Sequence, residues 1–391
     1  MNILLYIWIF LQLYVGYNLV LPLVFLLVRK IKLGKKSTYA HAERIDFDYA
    51  IIVTAYQQSS MIKSVVNSIL ELKYTNYIVY VVLDNCDKIP EFPSDKVVLL
   101  YPEIPLASNT KSHFFAIDNF KRPHNFLTIV DGDNLVDPNF LTALNIEFSK
   151  GFQAVQGVRK AKNMNTMYAC LDAARDLFYH YYDGKVLFCL GSSATLAGSG
   201  MAFSTALYRK ALENETIEGA GFDKVLQYKI VRDNYRIAFS ELAIVYDEKT
   251  SKSEQLVQQR SRWINTWFKY MKYGFRLLRA GITNRSKNQF LFGLILSRPP
   301  IFIFLTLSLT FMTINWFVDL TAFLTWAVCF FAFVAGFFIA LSKSNADSRI
   351  YKSLIGIPMF IFFQIISLMK SKKANQISVA TIHYHDVKET N

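Results

Sequence analysis

The sequence predicts an α/β domain with a mainly parallel sheet, flanked by apolar segments that are long enough to cross a membrane. Strand and helix patterns alternate between Asp46 and about Arg285, which is typical of a parallel sheet covered on both faces. Apolar runs lie at the two ends of the chain, and 52% of its 391 residues are hydrophobic. Acidic residues follow two of the predicted strands, where ligands bind in such sheets.

The first element is an almost unbroken apolar run over residues 3–28, long enough for a transmembrane helix. It does not resemble a secretory signal peptide, because no positive charge precedes it and no small-residue cleavage site ends it. Basic residues follow it instead: Arg29, Lys30, Lys32, Lys35 and Lys36. By the positive-inside rule we expect residues 1–30 to form a helix with its N-terminus outside and residues 31–47 to form a cytoplasmic tether.

The middle region, residues 48–263, is predicted to be the cytoplasmic α/β domain. Its apolar runs predict strands over residues 49–56, 77–83, 96–100 and 126–130, and helices over residues 61–72, 112–120 and 138–148. The last of these helices is expected to have Asp137 as its N-cap and Pro138 at its first helical position.

The C-terminal part is predicted to return to the membrane. Basic and aromatic residues over 264–287 predict an amphipathic interface helix. Two apolar runs with basic flanks predict a transmembrane hairpin over 288–341. The shorter run within 342–374 has basic residues at both ends, which favours an interfacial or re-entrant helix over a third crossing. Residues 375–391 would be a cytoplasmic tail.

The charge balance and the cysteines bear on partners and compartment. Lys and Arg outnumber Asp and Glu by 43 to 30, a formal net charge of +13. The basic residues flank apolar segments, so we attribute this charge to a cytoplasmic membrane face, with attraction to anionic lipid or a phosphate-bearing substrate as the alternative. They form no single stripe, so nucleic-acid binding is not expected. The four cysteines show no paired spacing, so neither a zinc site nor a disulfide framework is predicted.

Asp131 and Asp133 follow a wholly apolar strand and stand one residue apart. At a strand end both carboxylates can point into one cleft, where hard oxygen ligands suit Mg²⁺ or Mn²⁺ carrying a diphosphate. The alternative is a solvated turn. Asp84 also ends a buried strand, where it can accept from the base or sugar of a nucleotide or form an Asx turn.

A third polar cluster, Gln258-Gln259-Arg260-Ser261-Arg262-Trp263, stands before the predicted hairpin. Arg262 can hold a diphosphate through charge-assisted hydrogen bonds, and Trp263 can stack on the apolar face of a sugar ring. The alternative is a basic, aromatic helix at the membrane interface.

These segments occur in an order and at a spacing that resemble glycosyltransferase family 2, of the membrane-integrated kind with a Q(Q/R)xRW motif. The residues concerned are Thr54-Ala55-Tyr56, Leu83-Asp84-Asn85, Asp131-Gly132-Asp133 and Gln259-Arg260-Ser261-Arg262-Trp263. Cellulose, chitin, hyaluronan and poly-N-acetylglucosamine synthases belong to this group, and ceramide glucosyltransferases are relatives. The resemblance covers roughly residues 46–263 and implies a glycosyltransferase-A fold.

The resemblance also implies roles for individual residues. Thr54, Ala55, Tyr56, Asp84, Lys111, Asp131, Gln259 and Arg262 would bind a nucleotide-sugar donor, with UDP the usual nucleotide of the family. Asp133, with Asp131, would hold the metal ion. Gly198, Ser199, Gly200, Met201 and Trp263 would border the acceptor.

Asp223 takes the position of the family's catalytic base, which opens a helix upstream of the Q(Q/R)xRW motif. Phe222 stands where the family usually has Glu, a departure that weakens the assignment, and a plain helix N-cap is the alternative. With one base and no protein nucleophile, transfer would proceed by in-line displacement with inversion at the anomeric carbon.

Two acceptors stay open. A growing polysaccharide is favoured by the QRSRW motif, which accompanies many processive members of the family. A membrane lipid is favoured by the small number of membrane helices, since an export channel usually needs more unless an oligomer or partner subunit supplies them. We expect polysaccharide synthesis at the cytoplasmic face of the plasma membrane. A catalytically inactive membrane scaffold is the alternative of another class, favoured only by Phe222.

Overall fold

A single eight-stranded sheet lies at the centre of the described part of the protein. The structure is a computed structural model, and it describes residues 3–33, 45–89, 91–217 and 219–374. Its strand order is β3-β2-β1-β4-β7-β6-β8-β5. Four of the neighbouring pairs are parallel and three are antiparallel, which confirms the predicted mainly parallel sheet. The strands are β1 (Tyr49–Tyr56), β2 (Tyr77–Asp84), β3 (Val97–Leu100), β4 (Phe126–Asp131), β5 (Leu135–Val136), β6 (Ala154–Ala161), β7 (Met201–Ser204) and β8 (Ile237–Asp247).

Helices cover both faces of this sheet. In β1, Ile51 and Val53 pack with the helices of one face, while Ala50 and Ile52 pack with those of the other. Burial on both faces explains why the strand is a continuous apolar run rather than an alternating one. The helices of the domain are α2 (Ile62–Leu70), α3 (Asn109–Asp118), α4 (Phe140–Ser149), α5 (Met167–Tyr179), α6 (Leu187–Cys189), α7 (Thr205–Leu212) and α8 (Phe222–Arg232), with a π-helical turn, His180–Val186, after α5.

The start of α4 differs from the sequence prediction. The helix begins at Phe140, so Asn139 takes the N-cap position. Asp137 instead closes a turn ahead of the helix. Its carboxylate accepts from the backbone N–H of Asn139 at 3.0 Å, and its backbone carbonyl accepts from the backbone N–H of Phe140 at 2.9 Å. This local bond to the backbone holds residues 137–139 outside the helix, as Asp side chains in turns commonly do.

In the part of the chain that the structure describes, four helical segments are long and apolar enough to cross a membrane: Ile3–Ile31, Ile301–Val318, Leu320–Lys343 and Ser348–Lys370. They belong to α1 (Ile3–Leu33), α12 (Ile301–Val318), α13 (Leu320–Lys343), α14 (Ser348–Ser353) and α15 (Ile357–Lys370). Asp319 forms the turn between α12 and α13 and caps α13 through the Thr321 N–H at 2.9 Å, as expected for a hairpin. The interfacial arrangement of the last segment stays a prediction.

Between the sheet and the hairpin lie α9 (Ser253–Tyr270), α10 (Lys272–Thr283) and α11 (Lys287–Leu296). The predicted domain boundary at residue 263 therefore falls inside α9. The helices α10 and α11 approach closely at small residues: a Cβ on Gly274 would stand 2.4 Å from the Ser297 nitrogen, and one on Gly281 would stand 2.5 Å from the Phe290 nitrogen. Only glycine permits this packing.

Polar contacts join the long apolar helices to each other and to the α/β domain. The Gln12 side-chain oxygen accepts from Asn315 at 2.6 Å and from the Trp326 indole at 2.7 Å, which ties α1 to α12 and α13. Arg298, just ahead of α12, forms an ion pair with Asp183 of the π-helical turn, and both side chains are 4% exposed. The apolar core itself continues from the sheet into the membrane helices.

Candidate active site

One cavity of about 870 Å³ runs from the carboxyl ends of β1, β2 and β4 to the helices that can cross a membrane. Its polar end is lined by the strand ends, α5, α8 and the middle and end of α9. Its far end is lined by apolar side chains of α12, α13 and α15. Most sequence-predicted site residues line this cavity: Thr54, Ala55, Tyr56, Asp84, Asp131, Asp133, Gly198, Asp223, Gln259, Arg262 and Trp263.

Asp131 and Asp133 stand at the polar end because β4 stops at Asp131 and the chain turns at once. Gly132 permits this turn, since a Cβ there would come within 2.7 Å of the Thr54 carbonyl oxygen of the neighbouring strand. Asn134 bonds the Ser199 hydroxyl at 2.7 Å and, with its amide oxygen toward that hydroxyl, donates to both Asp133 carboxylate oxygens at 3.2 and 3.3 Å. The turn is thereby held from both sides.

The two carboxylates place two negative charges close together in the cavity. Burial, and next the charge of Asp133, raises the pKa of Asp131 to about 7, while Arg159 opposes that rise. A divalent cation would relieve this repulsion, so the residues fit one. Within the described residues no group of three or more His, Cys, Asp or Glu side chains is placed to hold a metal. Oxygen atoms of a bound diphosphate would complete the coordination of an ion held here.

Asp84, at the end of β2, is engaged by a neighbouring loop. Its two carboxylate oxygens accept from the backbone N–H groups of Leu106 at 2.9 Å and Ala107 at 2.8 Å. Ala107 has a left-handed backbone, with φ of +46°, which costs energy for a residue with a side chain. Asp84 therefore stabilises the loop that forms one wall of the cavity.

Asp223 lies in the first turn of α8 and lines the same cavity as Asp131 and Asp133. Its charge contributes to the raised pKa of Asp131, so the two carboxylates are near each other. The Lys224 ammonium is 3.3 Å from the Asp223 carboxylate. Phe222, at the position where the family usually has Glu, is 6% exposed and packs edge-on against His113 at 5.1 Å between ring centroids. Phe222 belongs to the apolar core and borders the cavity with its ring, and Asp223 places a carboxylate in the same lining.

Four predicted residues lie outside the cavity lining. Lys111 is exposed on α3, where its neighbours Thr110 and Ser112 take the buried positions. Ser199 is fully buried behind the Asp131–Asp133 turn. Gly200 and Met201 enter the sheet: the Gly200 N–H donates to the Ile129 carbonyl at 3.1 Å, and Met201 begins β7.

A buried charged network beside the strand ends was not found by sequence reasoning. Arg159, Arg175 and Lys249 contact Asp176 at 3.2, 2.6 and 2.5 Å. Burial alone would raise the pKa of Asp176, but Lys249, Arg175 and Arg159 hold that pKa well below its usual range. Lys249 also contacts Asp247 at 2.6 Å. The available sequence signal was the charge of α5, whose residues 172, 175 and 176 interrupt an otherwise apolar helix.

The polar residues of the Gln259–Trp263 motif on α9 differ in their surroundings. Arg260 is 2% exposed and forms an ion pair with Asp172 of α5. Arg262 is partly buried, and this burial lowers its pKa. The Gln259 side-chain oxygen accepts from the Thr250 hydroxyl at 3.0 Å. The motif therefore both anchors α9 to α5 and presents a guanidinium toward the cavity.

The far end of the cavity has a different chemistry. Side chains from three helices line it: Ile301, Phe302, Leu305, Phe330, Phe333, Val334, Phe337, Phe338, Ile357, Phe360, Ile361 and Gln364. All but Gln364 are apolar. The cavity therefore passes from a charged end at the sheet to an apolar end among helices suited to a bilayer.

Comparisons with known proteins agree with this architecture. The sequence model of the family described as glycosyltransferase like family 2 matches residues 47–266. No curated protein matches the chain. A mannosyltransferase from Pyrobaculum calidifontis, solved with GDP-Man and Mn²⁺, is similar with a TM-score of 0.56 at 16% identity, covering 91% of this chain and 95% of that chain. S. aureus TarS 1-349, solved with UDP-GlcNAc, has a TM-score of 0.41 at 14% identity, covering 84% and 90%. At such identities the first of these likenesses concerns the fold alone.

Proposed function

The chain belongs to the glycosyltransferase like family 2, and from that premise we propose that it transfers a sugar from a nucleotide-sugar donor, with inversion, to an acceptor hydroxyl at the cytoplasmic face of a membrane. The observation that carries the proposal is that Asp131, Asp133, Asp223 and Arg262 line one cavity. Binding of the donor diphosphate, removal of a proton from the acceptor and stabilisation of the leaving group can therefore take place in one space.

The donor would lie across the carboxyl ends of β1, β2 and β4. Thr54, Ala55 and Tyr56 end β1 and would line the nucleoside pocket, beside the loop that Asp84 holds. Asp131 and Asp133 would hold a divalent ion, Mg²⁺ or Mn²⁺, which when bound neutralises charge on the diphosphate. Arg262 supplies a guanidinium for the charge that develops on the leaving group.

Asp223 would take the proton of the attacking hydroxyl. A carboxylate within hydrogen-bond reach of the acceptor can serve as a general base. A double displacement would need a second carboxylate that is free to attack the sugar, and Asp172, Asp176 and Asp247 are engaged in ion pairs. These ion pairs support a single displacement with inversion, in which an α-linked donor would give a β-glycoside.

The apolar end of the cavity favours a membrane lipid as the acceptor. A polysaccharide presents many hydroxyl groups, and it would have to pass side chains such as Phe333, Phe337 and Ile361, which offer no hydrogen bonds. An acyl or isoprenoid chain gains free energy by burial against the same surface. The Gln259–Trp263 motif favours the second candidate, processive polysaccharide synthesis, in which an oligomer or partner subunit would supply an export path.

A donor screen on the purified protein tests the proposal. UDP- and GDP-linked sugars are incubated with Mn²⁺ and with vesicles made from a total lipid extract, and nucleotide release and product mass are measured. We expect nucleotide release with one donor and a single glycolipid product. A ladder or polymer as product would show that the acceptor is a polysaccharide rather than a lipid. No nucleotide release with any donor would contradict glycosyl transfer itself.

A further inference from the structure

One side of α5 and of the π-helical turn that follows it forms a wall of the cavity. Four residues of this side line the cavity: Asp172, Asp176, Tyr179 and Asp183. Their spacing of four, three and four residues places them along one side of a continuing helix. The first two belong to the charged network beside the strand ends. Asp183, seven residues further along the chain than Asp176, lies beyond that network.

Asp183 lies between the candidate base and the apolar end of the cavity. Burial raises the pKa of Asp183, and the charges of Arg298 and Lys224 oppose the rise. The Lys224 ammonium is 3.3 Å from the Asp223 carboxylate, so one of these two charges belongs to the catalytic side. Arg298 stands three residues before Ile301, which begins α12 and lines the apolar end. The Asp183 carboxylate is therefore at the junction of the two ends.

One oxygen of this carboxylate has no hydrogen bond. Oδ2 of Asp183 accepts from the Arg298 guanidinium, while Oδ1 has no hydrogen-bond partner among the described residues. The whole residue is 3% exposed. A buried acceptor without a donor is costly, and such groups in native proteins call for an explanation. A carboxylate oxygen of this kind in the lining of a cavity is suited to accept a hydrogen bond from a bound molecule.

The chemistry of the carboxylate limits what that molecule can present. An ionised carboxylate only accepts hydrogen bonds, so the partner must offer a donor, such as a hydroxyl or an amide N–H. A phosphate head would bring negative charge toward Asp183. Arg298 does not favour a phosphate in compensation, because its guanidinium is already paired with the other Asp183 oxygen.

We propose that Asp183 is a specificity-determining residue for the acceptor, whose carboxylate accepts a hydrogen bond from a second hydroxyl or amide N–H of a neutral lipid head, close to the hydroxyl that receives the sugar. The inference rests on the proposed function with a lipid acceptor. A lipid with its tail in the apolar end and its reacting hydroxyl at Asp223 has its head at the junction, beside Asp183.

The test uses pairs of acceptors that differ by one donor group. A 1-O-alkylglycerol is compared with its 2-O-methyl ether, and an N-acyl long-chain amino diol with its analogue that lacks the secondary hydroxyl and has a methylated amide. An alkyl phosphate of similar chain length is the anionic probe. Each is supplied in phosphatidylcholine vesicles, with the sugar donor that gives nucleotide release and with Mn²⁺, and kcat/KM for the acceptor is measured.

We expect at least one pair to show a preference of about tenfold to hundredfold for the member with the second donor, the range of a hydrogen bond to a charged group. In Asp183→Asn this preference should fall to about threefold to tenfold, because a neutral acceptor makes a hydrogen bond of roughly half the strength. Nucleotide release without acceptor measures whether the donor side is intact in the variant. Asp347→Asn is the matched control, since Asp347 also pairs with an arginine, Arg349, and does not line the cavity.

Equal kcat/KM within both pairs would overturn the inference, as would a preference that Asp183→Asn leaves unchanged, or transfer to the alkyl phosphate alone. The comparison within each pair uses the unmodified protein, so it decides the question even if Asp183→Asn fails to fold. Absence of nucleotide release with any donor would instead contradict the proposed function, and a polymer as product would contradict a lipid acceptor. These failures are distinguishable from transfer to lipids without discrimination between heads.

Discussion

At the scale of single residues, Asp223 is the group on which the proposed chemistry depends. It faces the cavity from the first turn of α8, while its neighbour Phe222 is buried in the core. We expect Asp223→Asn to abolish sugar transfer, because an amide cannot accept the proton of the attacking hydroxyl. Nucleotide binding should persist, since Asp131 and Asp133, the carboxylates that would hold the donor and its metal ion, are unchanged. Measured turnover together with calorimetry of nucleotide binding checks this, and full turnover in the variant would remove Asp223 from the mechanism.

Asp131 gives the candidate metal site a predicted pH dependence. Its folded pKa of about 7 lies above the ordinary value of 3.8, so the metal-free protein loses stability as pH rises from about 4 to 7. A cation must displace the proton that Asp131 carries below pH 7, so the affinity for Mn²⁺ should rise with pH, up to about tenfold per unit, and level off above pH 7.

Titration of Mn²⁺ between pH 5.5 and 8.5, in the presence of a nucleoside diphosphate, checks that prediction. Asp131→Asn is the matched control, because it has nearly the same volume and does not titrate. Its weaker affinity should change with pH only through ionisation of the nucleotide phosphate, so the difference between the two proteins reports Asp131. An affinity of the unmodified protein that does not change with pH would contradict the assignment of Asp131.

The strand patterns pointed to Asp84 and Asp131, the family resemblance pointed to Asp223, and all three line the cavity. Sequence reasoning could not find contacts made across the fold. Lys249 meets Asp176 from 73 residues away, and Asp84 meets the loop at Ala107 from 23 residues away. Such pairs depend on how helices and loops pack, which local periodicity does not encode. Lys111 shows the opposite case. Its position in the sequence resembles that of a lysine in the family, but its side chain is exposed on α3 and does not line the cavity.

At the scale of elements, α10 and α11 depend on glycine at their contact. We expect Gly274→Val to destabilise the protein strongly, because the new side chain would overlap the Ser297 backbone at 2.4 Å. Gly16→Ala is the matched control, since a Cβ at Gly16 would meet only the Trp326 ring at an ordinary 3.7 Å. Thermal unfolding in detergent checks the prediction, and equal midpoints for the two variants would contradict it.

The link between the π-helical turn and α12 is a buried ion pair, Asp183 with Arg298. We expect Arg298→Ala to cost about 3–5 kcal/mol of unfolding free energy, because the change leaves a buried carboxylate without a partner. Replacing both residues, with Asp183→Asn and Arg298→Met, should cost less than the single change, since no charge is then left unpaired. Chemical unfolding of the three proteins measures this, and a double variant less stable than Arg298→Ala would contradict it.

The elements themselves were predictable to different degrees. The sequence predicted the four strands β1 to β4 as apolar runs, and their bounds agree to within one residue. It did not predict β5 to β8. The start of α4 was misplaced, because the bond from Asp137 to the Asn139 N–H competes with the helix. The sequence prediction placed a domain boundary at residue 263, inside α9. At that point the residues change from the Gln259–Trp263 motif to aromatic residues typical of a membrane interface, while the helical backbone continues.

At the scale of the whole molecule, the cavity connects a charged end at the sheet to an apolar end among helices that are long and apolar enough to cross a membrane. We expect Val334→Asp, in the apolar lining of α13, to reduce transfer to lipid by tenfold or more, because the charge would oppose burial of the acceptor chain. Donor hydrolysis without acceptor should be unchanged. Product formation in vesicles, set against nucleotide release, checks this; equal loss of both activities would point to a general defect, and retention of both would contradict lipid access by this route.

The same continuity between charged and apolar ends bears on how the protein behaves outside a bilayer. A surfactant has a polar head and an alkyl tail, so it has the shape and polarity that the cavity would select. Surfactant molecules used for extraction should therefore compete with the natural acceptor, and more strongly as their tails lengthen toward the dimension of the apolar end. Activity recorded in micelles would then reflect the choice of surfactant as much as the enzyme itself.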